Sequence, residues 1–377
     1  MKKNILVVDD SALMRRVICD IINTDSNFQA KDTCRDGLEA YERLKTTTYD
    51  GVVLDVNMPR MDGLQLLEKL QEDNIKANVI MVSTLTTKDA EVTILALERG
   101  AIDFVTKPTN ISEAKGEDFK KKLLDTLNAV LNSRLLARTS RASSRTTSTA
   151  STEATSSARE TLNGTSSPAK ANVTANFRRL KATGKNKLIA LASSTGGPKA
   201  LQSVIPYLPE NLDAPMVLVQ HMPVGFTKSM ADRLNEVSKI AVKEAEDGDK
   251  LEKGHIYVAP GGKHMEVVKC PDGSHKIKLN NMPAIGGLRP CANITYDSLS
   301  KCGYDEVVCV VLTGMGADGT NGILSLGHHK PIHVISQNAE TCIVYGMPKA
   351  IEESGVVDEV VPLEKVAESI TKRVGVK

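Results

Sequence analysis

Short apolar runs alternate with helical patterns in the first third of the chain. Runs at 5–8, 52–54 and 79–82 have the length and composition of parallel strands buried on both faces. Between the strands, apolar residues recur every three or four positions, as they do from Leu13 to Ile21. This alternation predicts a first domain over residues 1–125, built as a doubly wound parallel sheet.

A second region of strand–helix alternation starts at Lys187. Buried strands are predicted at 188–191, 216–219 and 307–312, and shorter strands with glycine turns between 255 and 283. The pattern predicts a second doubly wound parallel α/β domain over residues 187–377.

The segment 134–186 has neither pattern. Between Thr139 and Ser167, 17 of 29 residues are Ser or Thr, so little apolar surface is available to offset the entropy of folding. We therefore expect a flexible, disordered linker between the domains. Residues 134–187 hold eleven Lys or Arg and two Glu, a net charge of +9 that leaves −7 for the rest of the chain. That charge fits a solubilising linker or a docking segment for an acidic partner, and both interpretations stay open.

Composition narrows the possible classes of protein. The chain has 377 residues, no Trp and 3% aromatic residues, and its basic excess lies in the linker, so we expect no nucleic-acid binding. Its seven cysteines lack the C-x-x-C spacing of zinc sites and predict buried, reduced thiols. We find no secretory signal pattern and no apolar run near the ~20 residues that cross a bilayer. We expect a cytoplasmic monomer without membrane insertion.

Acidic residues gather at the predicted strand ends of the first domain. Asp9 and Asp10 follow the first strand and Asp55 ends the third, and such ends meet at one edge of a parallel sheet. Converging carboxylates repel one another unless a hard cation such as Mg²⁺ lies among them. Lys107 and the Ser83 hydroxyl are expected at the same edge. The set predicts a site that forms an aspartyl-phosphate, although Asp9 and Asp10 alone could merely cap a helix.

The motifs at 7–11, 54–63 and 104–108 resemble the receiver domain of response regulators over roughly residues 3–122. This resemblance implies a flavodoxin-like fold and phosphorylation of Asp55 by a histidine kinase. Mg²⁺ would be held by Asp10, Asp55 and the Asn57 backbone carbonyl, with Asp9 acting through water. Ser83, Phe104 and Lys107 would form the switch that reports phosphorylation, and the Lys107–Pro108 peptide would be cis.

A candidate nucleophile lies in the second domain. Ser194 stands between a buried strand and a helix pattern, in Ala192-Ser193-Ser194-Thr195-Gly196-Gly197-Pro198. A strand–turn–helix of this kind presents a side chain beside backbone amides that favour negative charge. Ser194 can then attack a carbonyl. A phosphate-binding turn is the alternative, although the lysine and the spacing of a P-loop are missing.

A base and its orienting partner follow two other predicted strands. His221 comes directly after the strand at 216–220, and Asp318 lies in the loop after the strand ending at Leu312. One sheet edge can therefore assemble Ser194, His221 and Asp318 as a catalytic triad. Four other histidines are expected to be exposed: His264, His275, His328 and His329.

Six segments resemble the catalytic domain of chemotaxis protein-glutamate methylesterases, the CheB family, over about residues 187–367: 194–197, 220–223, 243–248, 257–261, 312–319 and 345–348. The resemblance implies a Rossmann-like domain that hydrolyses glutamate methyl esters on chemoreceptors, releases methanol and deamidates specific glutamines. It assigns Ser194 as nucleophile, His221 as base, Asp318 as orienting residue and the Met315 backbone amide as oxyanion donor. No cofactor is expected for this reaction. Its partners would be a chemotaxis histidine kinase and methylated chemoreceptors.

Three segments depart from the family pattern: Ala192-Ser193, Ala317, and the run from Arg289 to Asn293. Ser193 could compete with Ser194 as nucleophile, although side-chain direction favours Ser194. The resemblance implies an esterase that is activated by phosphorylation of Asp55. Before phosphorylation, its receiver domain would cover the active site. The alternative is a catalytically weak protein that serves as a sink for phosphate.

Overall fold

The computed structural model describes residues 2–108, 110–114, 116–143, 180–182 and 184–377. In the first domain a parallel five-stranded sheet has the order β2-β1-β3-β4-β5. Its strands are β1 (Lys3–Val8), β2 (Phe28–Cys34), β3 (Gly51–Asp55), β4 (Val79–Ser83) and β5 (Asp103–Thr106). Every residue of β3 and β4 is buried, as the apolar runs predicted.

Helices cover both faces of this sheet. They are α1 (Ala12–Thr24), α2 (Gly37–Thr46), α3 (Gly63–Glu72), α4 (Thr87–Glu98), α5 (Ile111–Ala114) and α6 (Glu117–Ser143). Four of them begin with a side-chain cap on a backbone amide, from Ser11, Asp36, Asp62 and Thr86. Ser11 rather than Asp9 or Asp10 caps α1, so the two carboxylates are not explained as helix caps.

The second domain contains a parallel seven-stranded sheet with the order β14-β13-β12-β6-β7-β9-β8. Its strands are β6 (Lys187–Ser193), β7 (Met216–Gln220), β8 (Ala241–Glu244), β9 (His255–Val258), β12 (Glu306–Val311), β13 (Ile332–Gln337) and β14 (Glu359–Val361). A separate antiparallel hairpin joins β10 (His264–Lys269) to β11 (His275–Asn280). The prediction of two doubly wound parallel-sheet domains is confirmed.

The helices of this domain pack against the two faces of its sheet. They are α7 (Gly197–Gln202), α8 (Phe226–Val237), α9 (Ala292–Leu299), α10 (Thr320–His329), α11 (Met347–Glu353) and α12 (Val366–Val374). The strand β6 lies between β12 and β7, so the loops that follow these three strands meet at one edge.

Three expectations need correction or lie outside the structure. Helix α6 extends to Ser143, so the first ten residues of the range predicted as a linker are helical. Most of the remaining linker, 144–179, lies outside the described residues.

Among described peptide bonds the cis bond is Arg289–Pro290, so the expectation of a cis Lys107–Pro108 bond is wrong. No helix within the described ranges is long and apolar enough to span a membrane.

The two domains pack against each other through α4 and α8. The ring of Phe104, on β5, stacks on Phe226 at the start of α8, with centroids 4.4 Å apart and planes inclined by 20°. Glu98 ends α4 and accepts two hydrogen bonds from Arg233, at 2.7 and 3.1 Å. The amide of Gln202 also donates to Glu98, at 3.2 Å. An aromatic stack and a forked ion pair therefore hold the first domain against the second.

Candidate active site

The acidic edge of the first sheet has the predicted composition. Asp55 ends β3 and is 4% exposed, and the Lys107 ammonium lies 2.8 Å from its Oδ2 and 2.9 Å from Asp9 Oδ2. Burial, with a further contribution from Asp9, raises the pKa of Asp55 to about 6, although Lys107 opposes this. The site therefore holds more negative charge than Lys107 alone balances.

The same carboxylates fit a divalent cation. Oxygens of Asp9, Asp10 and Asp55 lie within 4.8 Å of one another. One Asp9 oxygen, Oδ2, is buried and makes no hydrogen bond that satisfies normal geometry, although Lys107 is near. Hard carboxylate oxygens gathered this closely suit Mg²⁺. The residues present therefore agree with the magnesium site that a receiver requires.

Two predicted switch residues connect this edge to α4 and to the second domain. The Ser83 hydroxyl is buried and accepts a 2.7 Å hydrogen bond from Thr93 on α4. Asn57 donates from its side chain to Asp89, also on α4, at 2.7 Å. Phe104 contacts Phe226 across the domain interface. The acidic edge is thus linked by direct contacts to the helix and the strand that touch the second domain.

The candidate nucleophile follows the central strand of the second sheet. Ser194 comes directly after β6, and its backbone amide donates to Thr313 in the loop after β12, at 3.0 Å. Gly196 has a φ of 74°, a left-handed conformation that favours glycine, and the chain then turns into α7. The strand–turn–helix predicted around Ser194 is present.

The structure brings His221 and Asp318 together beside this turn. His221 Nε2 lies 2.8 Å from Asp318 Oδ2, and both side chains are buried. Because Asp318 occupies Nε2, the Nδ1 atom is the ring nitrogen left for the serine. The roles of the two nitrogens are therefore reversed relative to the usual serine-protease arrangement.

A loop that sequence reasoning did not assign to the site holds Asp318. Its Oδ1 accepts from the Cys291 thiol, the Asn293 amide and the Gly319 amide at 3.0–3.1 Å, and its Oδ2 accepts from the Ala292 amide at 2.6 Å. Burial alone would raise the pKa of Asp318, but His221 and these donors lower it to about 2. The orienting carboxylate is therefore ionised at neutral pH. No local pattern signals this role, because residues 291–293 reach Asp318 only through the tertiary fold.

Both domains line a cavity of about 210 Å³ over the nucleophile. The second domain contributes Ser194, Thr195, His221, Pro223 and Met315, and the receiver contributes residues of β5 and α6. Gly314, the residue before Met315, packs closely on Ser194: a Cβ added at Gly314 would lie 2.8 Å from Ser194 Cβ. The backbone of Met315 therefore follows directly after this contact. The receiver thus covers the space that a substrate must enter.

Other histidines and the second serine can now be placed. His264 and His275 are buried in the hairpin, so the expectation that they are exposed is wrong.

Ser193 is 0% exposed, and its hydroxyl donates to Gln220 at 2.7 Å. A substrate cannot reach Ser193, so Ser194 remains the candidate nucleophile of the pair.

A serine, a histidine and a carboxylate at one sheet edge, covered by a domain with an acidic phosphoacceptor site, define a class of phosphorylation-controlled serine hydrolases. Known proteins agree. A family model described as CheB methylesterase matches residues 189–370, and a response regulator receiver domain model matches residues 5–116.

Three individual matches cover one or both domains. The protein-glutamate methylesterase/protein-glutamine glutaminase 1 of Syntrophomonas wolfei is 38% identical over 372 residues, 98% of this chain and 98% of that protein. The Bacillus subtilis protein-glutamate methylesterase/protein-glutamine glutaminase is 38% identical over 371 residues, covering 97% of each. The crystal structure of the Thermotoga maritima CheB methylesterase catalytic domain is 42% identical, with a TM-score of 0.47, and covers 50% of this chain and 99% of that chain. The chain therefore belongs to the protein-glutamate methylesterase/protein-glutamine glutaminase family.

The Asp318 carboxylate should control the reactivity of Ser194. Changing Asp318→Asn removes the negative charge that stabilises a protonated His221, and we expect Ser194 labelling by a fluorophosphonate to slow by at least about 100-fold. The measurement is the rate of covalent labelling at pH 7.5. Asp297→Asn, on α9, is the control and should label at the wild-type rate. Equal rates for Asp318→Asn and wild type would contradict the assigned role.

Proposed function

We propose that this protein hydrolyses glutamate methyl esters on the cytoplasmic helices of chemoreceptors and deamidates specific receptor glutamines. The observation that carries the proposal is the contact between His221 and Asp318 beside Ser194, at the edge of a CheB-type sheet. We further infer a cytoplasmic protein that acts in chemotactic adaptation, since its substrates and its phosphodonor kinase would both be found there.

The geometry suggests how the ester is cleaved. Ser194 Oγ attacks the ester carbonyl while His221 Nδ1 accepts the hydroxyl proton, and Asp318 stabilises the charged ring. The Met315 amide, from a residue that lines the same cavity, would donate to the carbonyl oxygen as it becomes negative. The C–O bond to the methoxy group then breaks, and His221 returns the proton so that methanol leaves. Water hydrolyses the acyl-enzyme by the same proton transfers, and a glutamine amide would release ammonia instead.

Phosphorylation would act through the acidic edge of the receiver. Asp55 is the phosphoacceptor, and Asp10, Asp55 and the Asn57 carbonyl, with Asp9 through water, would hold Mg²⁺. When held by these residues, the ion would supply positive charge to balance the phosphoryl group. Lys107 is within hydrogen-bond distance of Asp55 and would contact the phosphoryl oxygens once the carboxylate is modified.

The closed arrangement supports control by release of the receiver. Thr93 on α4 donates to the Ser83 hydroxyl, so a new contact between Ser83 and a phosphoryl group on Asp55 would change the packing of α4. Helix α4 ends in Glu98, which pairs with Arg233, and the neighbouring strand carries Phe104. Phosphorylation would therefore weaken these interdomain contacts and shift the population toward an open, active form.

The enzymatic proposal is tested by methanol release from methylated receptor membranes. The wild-type protein should release methanol, and Ser194→Ala should release none above the uncatalysed background, because the nucleophile is missing. Ser300→Ala, a partly exposed serine at the end of α9, is the matched control and should retain full activity. Equal release by wild type and Ser194→Ala would reject the esterase in favour of a phosphate sink.

Control by phosphorylation predicts a selective loss in Asp55→Asn. This variant should keep the basal rate of methanol release but show no increase with acetyl phosphate and Mg²⁺, because it cannot form the acyl phosphate. Asp20→Asn, whose side chain on α1 is 74% exposed, should respond like the wild type. A full response of Asp55→Asn would mean that another residue accepts the phosphoryl group.

The Asp103 carboxyl should make closure depend on pH. In the closed form Asp103 faces the cavity with Lys122, Asp125 and His221 and accepts a hydrogen bond from Thr195; burial raises its pKa from 3.8 to about 7. A raised pKa favours the closed form at low pH, and this preference is lost as the pH rises through about 7. The ratio of stimulated to basal methanol release should therefore fall between pH 6 and pH 8.

The ratio cancels the pH dependence of the chemical step, which both measurements share. Asp103→Asn cannot ionise, so its ratio should stay high across this range. Asp125→Asn removes another carboxylate from the same cavity and should follow the wild-type curve. A wild-type curve for Asp103→Asn would show that a different group titrates.

A further inference from the structure

The strands that carry the nucleophile and the base are neighbours in the sheet. Strands β6 and β7 pair in parallel, and the last matched pair of their ladder is Ser193 with Gln220. Ser194 and His221 come one residue later, where the two chains begin to separate. The His221 amide still donates to the Ser193 carbonyl at 3.2 Å, whereas the Ser194 amide turns away to Thr313.

The side chain of Gln220 bridges this separation. It is 1% exposed, and its Nε2 donates to the Ser194 carbonyl at 3.0 Å and to the His221 carbonyl at 3.3 Å. One amide nitrogen therefore holds the main chain of the nucleophile and that of the base. Because both partners are carbonyl oxygens, which only accept, the nitrogen must be the end of the amide that faces them.

Ser193 holds the other end of the amide. Its hydroxyl donates to Gln220 Oε1 at 2.7 Å, and the fully buried position leaves it no contact with substrate. The hydroxyl fixes the orientation of the amide plane, so that both Nε2 hydrogens point toward the two carbonyls.

The turn after Ser194 is shaped around this side chain. A Cβ at Gly197 would lie 2.0 Å from Gln220 Oε1, so the second glycine of the motif leaves space for the amide. The Gly197 amide also donates to the Ser194 carbonyl, at 2.6 Å. The Ser194 carbonyl is therefore held from two directions, by Gly197 of its own turn and by Gln220 of the neighbouring strand.

We propose that Gln220 is a positioning residue for the hydrolytic reaction: its amide, oriented by Ser193, fixes the separation of Ser194 and His221. The proposal rests on the function proposed above. Proton transfer from Ser194 to His221 requires hydrogen-bond contact between the two side chains. Backbone pairing of β6 and β7 ends one residue earlier, so Gln220 supplies the restraint where the chemistry needs it. Displacing a catalytic group by about 1 Å can cost about 100-fold in rate.

The test replaces Gln220 by methionine, which has a similar length and no amide. In the full-length protein with acetyl phosphate, Gln220→Met should lower kcat for methanol release by about 10- to 100-fold, with KM for receptor membranes nearly unchanged. The midpoint of the pH–rate profile should not move, because the His221–Asp318 pair is untouched. Fluorophosphonate labelling of Ser194 should slow by the same factor as kcat.

Ser193→Ala separates positioning from simple stability. Alone it should lower kcat a few-fold, but in the Gln220→Met background it should have no further effect, because Ser193 acts through the amide. Ser336→Ala is the matched control: Ser336 is an equally buried strand serine that donates to Glu352 at 2.8 Å. It should change only the melting temperature.

Two results would overturn the proposal. If Gln220→Met folds, a wild-type kcat together with a lower melting temperature would overturn it. If Gln220→Met does not fold, a wild-type kcat for Ser193→Ala would overturn it. Either result, combined with an inactive Ser194→Ala, would leave the esterase assignment intact. An active Ser194→Ala would instead remove the function on which the proposal rests.

Discussion

The position of β6 between β12 and β7 is the constraint on which the catalytic domain depends. All three strands run in parallel, so their carboxyl ends lie at one edge, and the loops that follow them carry Ser194, Asp318 and His221. The strands are buried along nearly their whole length, which fixes this edge as a rigid platform. The loops then need only short polar contacts to complete the site.

The polar contacts differ in what they hold. The carboxylate of Asp318 is held by donors from residues 291–293 and from its own loop, so its charge and position are fixed together. The Gln220 amide holds main-chain carbonyls rather than catalytic side chains. The loop at 291–293 therefore keeps the Asp318 carboxylate ionised. Gln220, at the end of β7, sets the separation of Ser194 and His221.

The receiver also gathers its polar residues at one edge of a parallel sheet, but these residues serve control rather than hydrolysis. Ser83, Thr93 and Asp89 connect its acidic site to α4, and Glu98 at the end of α4 contacts the catalytic domain. The interface combines an aromatic stack with a charged pair, a mixed contact of the kind that domains can release. Covering the nucleophile with the receiver makes the domain contact itself the element of control.

The sequence by itself determined the two sheets, because apolar runs mark strands, and it placed the candidate acidic and triad residues directly after those strands. It favoured Ser194 over the adjacent Ser193 by side-chain direction. Tertiary structure added the burial of Ser193 against Gln220. It also decided the Asp318 contacts of residues 291–293, the burial of His264 and the stacking of Phe104 on Phe226. These contacts join segments far apart in the chain, and no local periodicity records which distant residue a side chain will meet.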